Sequence, residues 1–206
     1  MEKMIEEEIV HFKRLLDANL AEPIEFDHYF NIPVLNALLT MTVGERLDHD
    51  DLKLRDIIHR LTKTLEIWAS PSWLYVLSAF PWMRNIPGVG HYLCNLAYKA
   101  TMDVTDMMEE YILKHRDNLD VNEPRDFIDM MLIEINNTTD SSSSFHGQRG
   151  LESLKVTLFD LFLTGSDTTA TTLTWAVLYM VRYPEVQTRV QQELDSVIGI
   201  NRLTLL

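Results

Sequence analysis

The feature that most constrains this chain is an uninterrupted helical pattern from Leu151 to about Arg182. No proline falls within these 32 residues, and apolar residues recur at helical spacing on both sides of the centre. At 1.5 Å per residue, a helix of this length measures about 48 Å, which is enough to cross a whole domain. The pattern therefore predicts one long helix around which the rest of the chain is arranged.

Shorter helical patterns account for most of the remaining sequence. They cover about residues 2–20, 33–44, 51–68 and 91–118, a short segment that begins at Pro124, and a last segment from Pro184 to Gly199 with Val186, Val190, Leu194 and Val197 expected to face inward. With only 7 glycines and 7 prolines, the chain has few residues for the frequent turns of an all-β fold. We therefore predict an all-α fold, with one domain over residues 1–206 and an exposed loop at 136–150.

Composition excludes several classes of function. The net charge is −13 and no basic stripe is present, so nucleic-acid binding is not expected. The single cysteine, Cys94, excludes an internal disulfide framework and a multi-cysteine zinc site. No run reaches the ~18 consecutive apolar residues of a membrane-spanning helix.

An aromatic, proline-rich segment, SPSWLYVLSAFPWMRNIPGVG, joins the third and fourth helical patterns. Two interpretations of it remain open. It is either a buried connection between two long helices or a hydrophobic flap, from Trp73 to Trp82, that touches a membrane surface or admits an apolar ligand.

The centre of the long helical pattern contains residues that weaken a helix. Gly165 costs about 1 kcal/mol relative to alanine, and the six threonines between residues 164 and 174 are poor helix-interior residues. Glycine lets a flat group approach the backbone, and threonine hydroxyls can bond back to carbonyl oxygens one turn earlier. Asp167 beside Thr168 adds an acid and a hydroxyl, the minimum for relaying a proton.

The same residues also allow a break in the helix. One helix would then end at Thr164, and Ser166 or Asp167 would cap the next one. The helical period does not distinguish a continuous helix from two shorter ones.

The hexapeptide TGSDTT, from Thr164 to Thr169, resembles the oxygen-activation motif (A/G)-G-x-(D/E)-T-(T/S) in the long I helix of cytochromes P450. YPEVQTRVQQELDSVIG resembles the J helix that follows, and PRDFIDMML the short helix that precedes it. VGERLDHDD, the tryptophan-rich segment and EKMIEEEI are similar to earlier segments of the microsomal family 2 type. The resemblance covers about residues 1–203. It implies a partial P450 fold, from about helix D to helix J, with the I helix surrounded by other helices.

The resemblance implies roles for individual residues. Thr168 would be the catalytic hydroxyl beside bound dioxygen, and Asp167 the acid that delivers protons with it. Gly165, Thr164 and Thr168 would contact haem. Threonine at position 164, where alanine or glycine is usual, would narrow the substrate pocket. The residues facing the substrate would be Asp160, Leu163 and Thr164.

Two other signatures of that family have no counterpart in this sequence. The family binds haem iron through a cysteine thiolate in a glycine-rich segment, whereas Cys94 stands in an ordinary helical run. No glutamate is followed three residues later by arginine, so the Glu-x-x-Arg pair is missing as well. The chain is therefore expected to be an incomplete P450 domain, without the axial ligand and catalytically incompetent by itself.

For the intact enzyme, the resemblance implies a haem-dependent monooxygenase that inserts one oxygen atom from O2 into a lipophilic organic substrate. NADPH-cytochrome P450 reductase would be its partner, and the cytoplasmic face of the endoplasmic reticulum membrane its location. The alternative is a non-catalytic helical lipid-binding or interaction fragment that uses the tryptophan-rich flap and an inner cavity.

Overall fold

The computed structural model describes residues 2–18, 29–48, 51–69, 79–86 and 88–199, and most of these residues are helical. Within those ranges no strand is formed. The helices are α1 (Glu2–Ala18), α2 (Asn31–Val43), α3 (Leu52–Ala69), a 3₁₀-helix (Pro81–Asn85), α4 (Val89–Asp117), α5 (Phe127–Asn137), α6 (Gly147–Arg182) and α7 (Pro184–Val197). The predicted all-α fold is confirmed.

Helix α6 is continuous, and α2, α3, α4, α5 and α7 all pack against it. Its buried residues are Gly150, Leu154, Leu158, Phe159, Phe162, Leu163, Ser166 and Ala170. Buried side chains therefore stand on both sides of Gly165, and their packing holds the helix together through the weak turn. The long central helix is confirmed, and the alternative of a break at Thr164 is wrong.

Helix α2 packs against α1 and α6 and buries Leu35 and Leu39 completely. Asn36 is also fully buried, and its side-chain amide pairs with the backbone of Leu47 in both directions. Its Nδ2 donates to the Leu47 carbonyl at 2.9 Å, and the Leu47 amide donates to its Oδ1 at 3.2 Å. Because both ends of the amide have partners, the core tolerates this polar residue, which fixes the segment after α2 to the helix.

The helix predicted to begin at Pro124 begins instead at Phe127. Asp126 is its N-cap residue, because its Oδ1 accepts a hydrogen bond of 3.0 Å from the amide of Asp129. This bond satisfies one of the free N–H groups of the first turn, so the cap rather than the proline sets the start of the helix. Asp129 in turn accepts hydrogen bonds from the Arg125 guanidinium, at 2.6 Å from Nε and 2.9 Å from the terminal nitrogen.

The pair formed by Asp129 and Arg125 should make the fold sensitive to acid. The Arg125 guanidinium holds the pKa of the Asp129 carboxyl below its usual value of 3.8, against the opposing effect of burial. Since the folded pKa is the lower one, the ionised carboxylate stabilises the fold above about pH 4, and this contribution is lost as the pH falls through the folded value. We expect Asp129→Asn to lower the free energy of unfolding at neutral pH and to change it little in strong acid, as measured by urea unfolding. An equal loss at every pH would contradict this assignment.

The exposed loop before α6 is shorter than predicted. Asn136 and Asn137 close α5, and Gly147 opens α6, so the part without helix is 138–146. Most residues of this shorter loop are exposed.

The apolar row of α7 is not buried, which corrects its predicted inward orientation. Val186, Val190 and Leu194 are 38%, 40% and 45% exposed, and Val197 is more exposed still. The periodicity predicted the helix and its apolar stripe correctly. The stripe is left open because α7 packs mainly against the end of α6 in the described part of the chain.

The tryptophan-rich connection is described only in its second half, and Trp73 lies outside the described residues. Phe80 and Trp82 are 51% and 63% exposed, with ring centroids 6.5 Å apart. This end of the segment therefore lies on the surface and does not fit a buried connection. Among the helices that the structure describes, none combines the length and apolarity required to cross a bilayer.

Candidate functional site

Asp160, Thr164 and Thr168 form one exposed row on α6, which we name the polar face. Residues four apart in an α-helix lie one turn above another on the same side, so their alignment follows directly from the spacing. The opposite side of the helix is buried through residues such as Phe162 and Ser166. Three of the residues predicted to act on a cofactor or a substrate thus share a single open surface.

The threonine hydroxyls of this region bond back to the helix, as the sequence predicted. Thr164 Oγ1 donates to the carbonyl of Asp160 at 2.7 Å, and Thr168 Oγ1 donates to the carbonyl of Thr164. Thr172 Oγ1 repeats the pattern with the carbonyl of Thr168 at 2.7 Å. Because each hydroxyl already donates a hydrogen bond to a backbone carbonyl, the threonine oxygens remain available chiefly as hydrogen-bond acceptors.

Asp167 lies at the edge of the polar face, half-buried on the side towards α3. With Ser166, Asn31 of α2 and Thr62 of α3, it lines a cavity of about 10 Å³. A space of this size holds roughly one water molecule. The carboxylate is therefore adjacent in sequence to the Thr168 hydroxyl and partly shielded by two neighbouring helices. Sequence reasoning did not find Asn31 or Thr62, since no spacing in the chain connects them with Asp167.

Gly165 and Leu163 do not belong to the polar face. A side chain at Gly165 would point towards α2, where its Cβ would lie 3.4 Å from Cδ1 of Leu38. Leu163 is 5% exposed and belongs to the hydrophobic core. Of the three residues predicted to face a substrate, Asp160 and Thr164 are exposed together and Leu163 is packed inside.

Gly165 borders an apolar groove of about 490 Å³ between α1, α2 and α6. Its apolar lining includes Ile5, Ile9, Phe12, Val34, Leu38 and Leu173. The buried carboxylate of Glu8 lies at the same groove and accepts a bond of 2.8 Å from Arg46 Nε. A lipid-binding function would depend on this groove, which lies on a different side of α6 from the polar face.

The cytochrome P450 family model matches residues 1–205 of the chain. The chain belongs to the cytochrome P450 family. This confirms the resemblance of the TGSDTT segment and its neighbours, and it does not favour the lipid-binding alternative.

Three relatives show how much of a P450 the chain represents. It is 35% identical to cytochrome P450 2J2 of Homo sapiens over 201 residues, which are 97% of this chain and 38% of that protein. It is 34% identical to cytochrome P450 2J5 of Mus musculus, covering 98% of this chain and 39% of the relative. For cytochrome P450 2C28 of Mesocricetus auratus, the identity is 31%, with 98% and 40% covered. The chain thus spans about two fifths of the length of these P450s.

Proposed function

We propose that this chain provides the oxygen-handling helix of a haem-dependent monooxygenase that inserts one oxygen atom from O2 into a lipophilic substrate. The observation that carries the proposal is the polar face, an exposed row on a continuous α6 in a chain of the P450 family. Haem, when bound, would supply the activation of O2. The residues of the chain would bind and orient the haem and the substrate, and they would move protons.

The polar face fits one side of a flat group. Thr164 and Thr168 have short side chains that donate hydrogen bonds to the helix backbone, so these side chains project little from the helix surface. These two residues would lie against the haem, with Gly165 beside them at the α2 side. In the intact enzyme, a cysteine thiolate would hold the haem iron. Cys94, half-buried in α4, has no glycine-rich surroundings of the kind this requires, and we assign it no such role.

Thr168 and Asp167 would deliver protons during catalysis. Thr168 Oγ1 donates its hydrogen bond to the Thr164 carbonyl, so its oxygen can accept a hydrogen bond from a group that lies on the polar face. Rotation of this hydroxyl away from the carbonyl would let it pass a proton on. The neighbouring Asp167 carboxyl, partly shielded beside α3, would take up the replacement proton from solvent.

The remaining assignments follow from the family. Asp160 and Thr164 would face the substrate, with Thr164 reducing the room above the haem, and NADPH-cytochrome P450 reductase would supply electrons. We also propose a location on the cytoplasmic face of the endoplasmic reticulum membrane. The exposed rings of Phe80 and Trp82 support a contact of the tryptophan-rich segment with that membrane.

The proton-delivery role is tested by Thr168→Val, with Thr172→Val as its matched control. Both changes remove the hydroxyl of an exposed residue of α6 that donates to a carbonyl one turn earlier, so their effects on the fold should be alike. In a haem-loaded P450 that contains this chain, we expect Thr168→Val to lower turnover of an apolar probe substrate about a hundredfold, since proton transfer by a positioned group contributes on this scale. Thr172→Val should leave turnover near that of the parent.

Equal turnover in the two variants would refute the assignment of Thr168. The 206-residue chain alone provides a second comparison. It should show neither turnover nor the carbon monoxide difference spectrum of thiolate-bound haem, because the sequence offers no matching ligand segment.

A further inference from the structure

His115 occupies a buried position where three helix ends meet. It stands in the last turn of α4, next to the last residue of α2 and the N-cap residue of α5, and it is 7% exposed. Together with Asp126 and Asp129 it forms the one group in the described ranges whose ligand atoms would suit a metal ion by spacing. Both carboxylate oxygens of Asp129 are already bonded to Arg125, so the group is a hydrogen-bond cluster and not a metal site.

Both ring nitrogens of His115 face acceptors. Nδ1 lies 2.7 Å from the carbonyl oxygen of Tyr111. Nε2 lies 2.8 Å from Oδ2 of Asp126 and 3.2 Å from the carbonyl oxygen of Val43. Carbonyl and carboxylate oxygens have no proton to give, so each nitrogen must carry its own. The complete set of bonds therefore requires the doubly protonated, cationic ring.

The surroundings favour that positive charge. The carbonyl of Val43 belongs to the last residue of α2, where the helix dipole places partial negative charge. From α5, the facing charged groups are the carboxylates of Asp126 and Asp129, with Arg125 balancing the second of them. From α2, the facing group is the Val43 carbonyl. A cation thus has acceptors from all three helices.

A neutral ring would leave one nitrogen without a proton opposite an oxygen. If Nδ1 kept the proton, the lone pair of Nε2 would face the Asp126 carboxylate. If Nε2 kept it, the lone pair of Nδ1 would face the Tyr111 carbonyl. Either form exchanges a charge-assisted hydrogen bond for a repulsive contact in a buried place.

The backbone of this corner leaves little room for adjustment. Gly44 ends α2 with a φ of 70°, and a Cβ there would lie 2.9 Å from Oδ2 of Asp126. The carboxylate is therefore held between the glycine and the His115 ring. It cannot move away from an unprotonated nitrogen without disturbing the end of α2 or the cap of α5.

We propose that His115 is a proton-operated latch that joins the ends of α2, α4 and α5. In its cationic form it holds the three ends together. When the ring releases one proton to solvent, a repulsive contact replaces one of its hydrogen bonds, and the three helix ends are held together less strongly. Because this repulsive contact exists only in the folded chain, the corner should be less stable at mildly alkaline pH than at slightly acidic pH.

The test compares unfolding by urea from slightly acidic to mildly alkaline pH in the 206-residue chain, in His115→Gln and in His59→Gln. His59 is an exposed histidine on α3 and serves as the matched control. The unfolding equilibrium constant of the parent should rise about 10- to 100-fold over this range, the equivalent of one charge-assisted bond. His59→Gln should show the same rise, and His115→Gln should not.

A second variant and a direct measurement guard against a His115→Gln chain that fails to fold. Asp126→Asn keeps a side-chain oxygen for the cap of α5 but removes the negative charge, so it should flatten the pH profile. Nitrogen NMR of the His115 ring should show protons on both nitrogens at slightly acidic pH. A ring with one protonated nitrogen there, or a parent profile as flat as that of His115→Gln, would overturn the latch.

Discussion

Replacing Phe162 by alanine should lower the free energy of unfolding of the chain by about 3–5 kcal/mol, the range for removing a fully buried phenylalanine. Phe162 is 0% exposed and lies in the core on the side of α6 away from the polar face. The substitution removes apolar surface that folding buries. It also leaves a cavity, because the surrounding helices fill the vacated space only in part, and the residues around it lose packing contacts. Urea unfolding monitored by circular dichroism measures the loss.

Leu161→Ala is the matched control for this change. Leu161 is the preceding residue on the same helix, but it is 37% exposed. Its truncation should lower the free energy of unfolding by only about 1 kcal/mol, because its side chain is partly exposed to solvent. Comparable losses for Phe162→Ala and Leu161→Ala would mean that the two sides of α6 are not buried as described.

A second large effect is expected from Gly150→Ala in the first turns of α6. A Cβ at this position would lie 2.5 Å from the carbonyl oxygen of Phe145 and 2.8 Å from Cγ1 of Ile135. The first of these atoms belongs to the backbone of the loop before α6 and cannot move aside as a flexible side chain could. We expect the free energy of unfolding to fall by about 1–3 kcal/mol, the usual cost of overpacking, despite the better helix propensity of alanine.

Gly165→Ala offers the opposite case within the same helix. Its Cβ would meet Leu38 Cδ1 at 3.4 Å, which is an ordinary van der Waals distance. The change should therefore be neutral or should stabilise the fold by up to about 1 kcal/mol. Thermal unfolding of both variants should distinguish a glycine position that has no room for a side chain, Gly150, from one that has room, Gly165. A destabilised Gly165→Ala and an unchanged Gly150→Ala would contradict this packing of α6 against its neighbours.

The contrast between these glycines shows what a local pattern can reveal. The sequence singled out Gly165 because it interrupts a helical period beside Asp167 and Thr168. Gly150 lies inside the stretch predicted as a loop, and no local pattern marks it, although a side chain there would have less room than one at Gly165. Its importance arises from Phe145 and Ile135, which approach it from a loop and from another helix.

Helix boundaries depend on local contacts, but more than one local rule can apply at the same place. Pro184 begins α7 as predicted, because a proline in the first turn needs no N–H partner and the rule is local. Pro124 looked similar in the sequence but does not begin a helix. The hydrogen bond from the Asp129 amide to the Asp126 side chain decides that start.

The period of apolar residues predicted helix on both sides of Gly165, and the spacing predicted the alignment of Asp160, Thr164 and Thr168, because residues four apart share a face in any α-helix. The period did not decide whether α6 is continuous at Gly165, which its packing against the neighbouring helices does. It could not place Leu163 in the core, turn Gly165 towards Leu38, or bring His115 to Asp126 and the end of α2. Those outcomes depend on which helices pack together and at what distance. Such contacts join residues far apart in the chain, so only the tertiary structure could decide them.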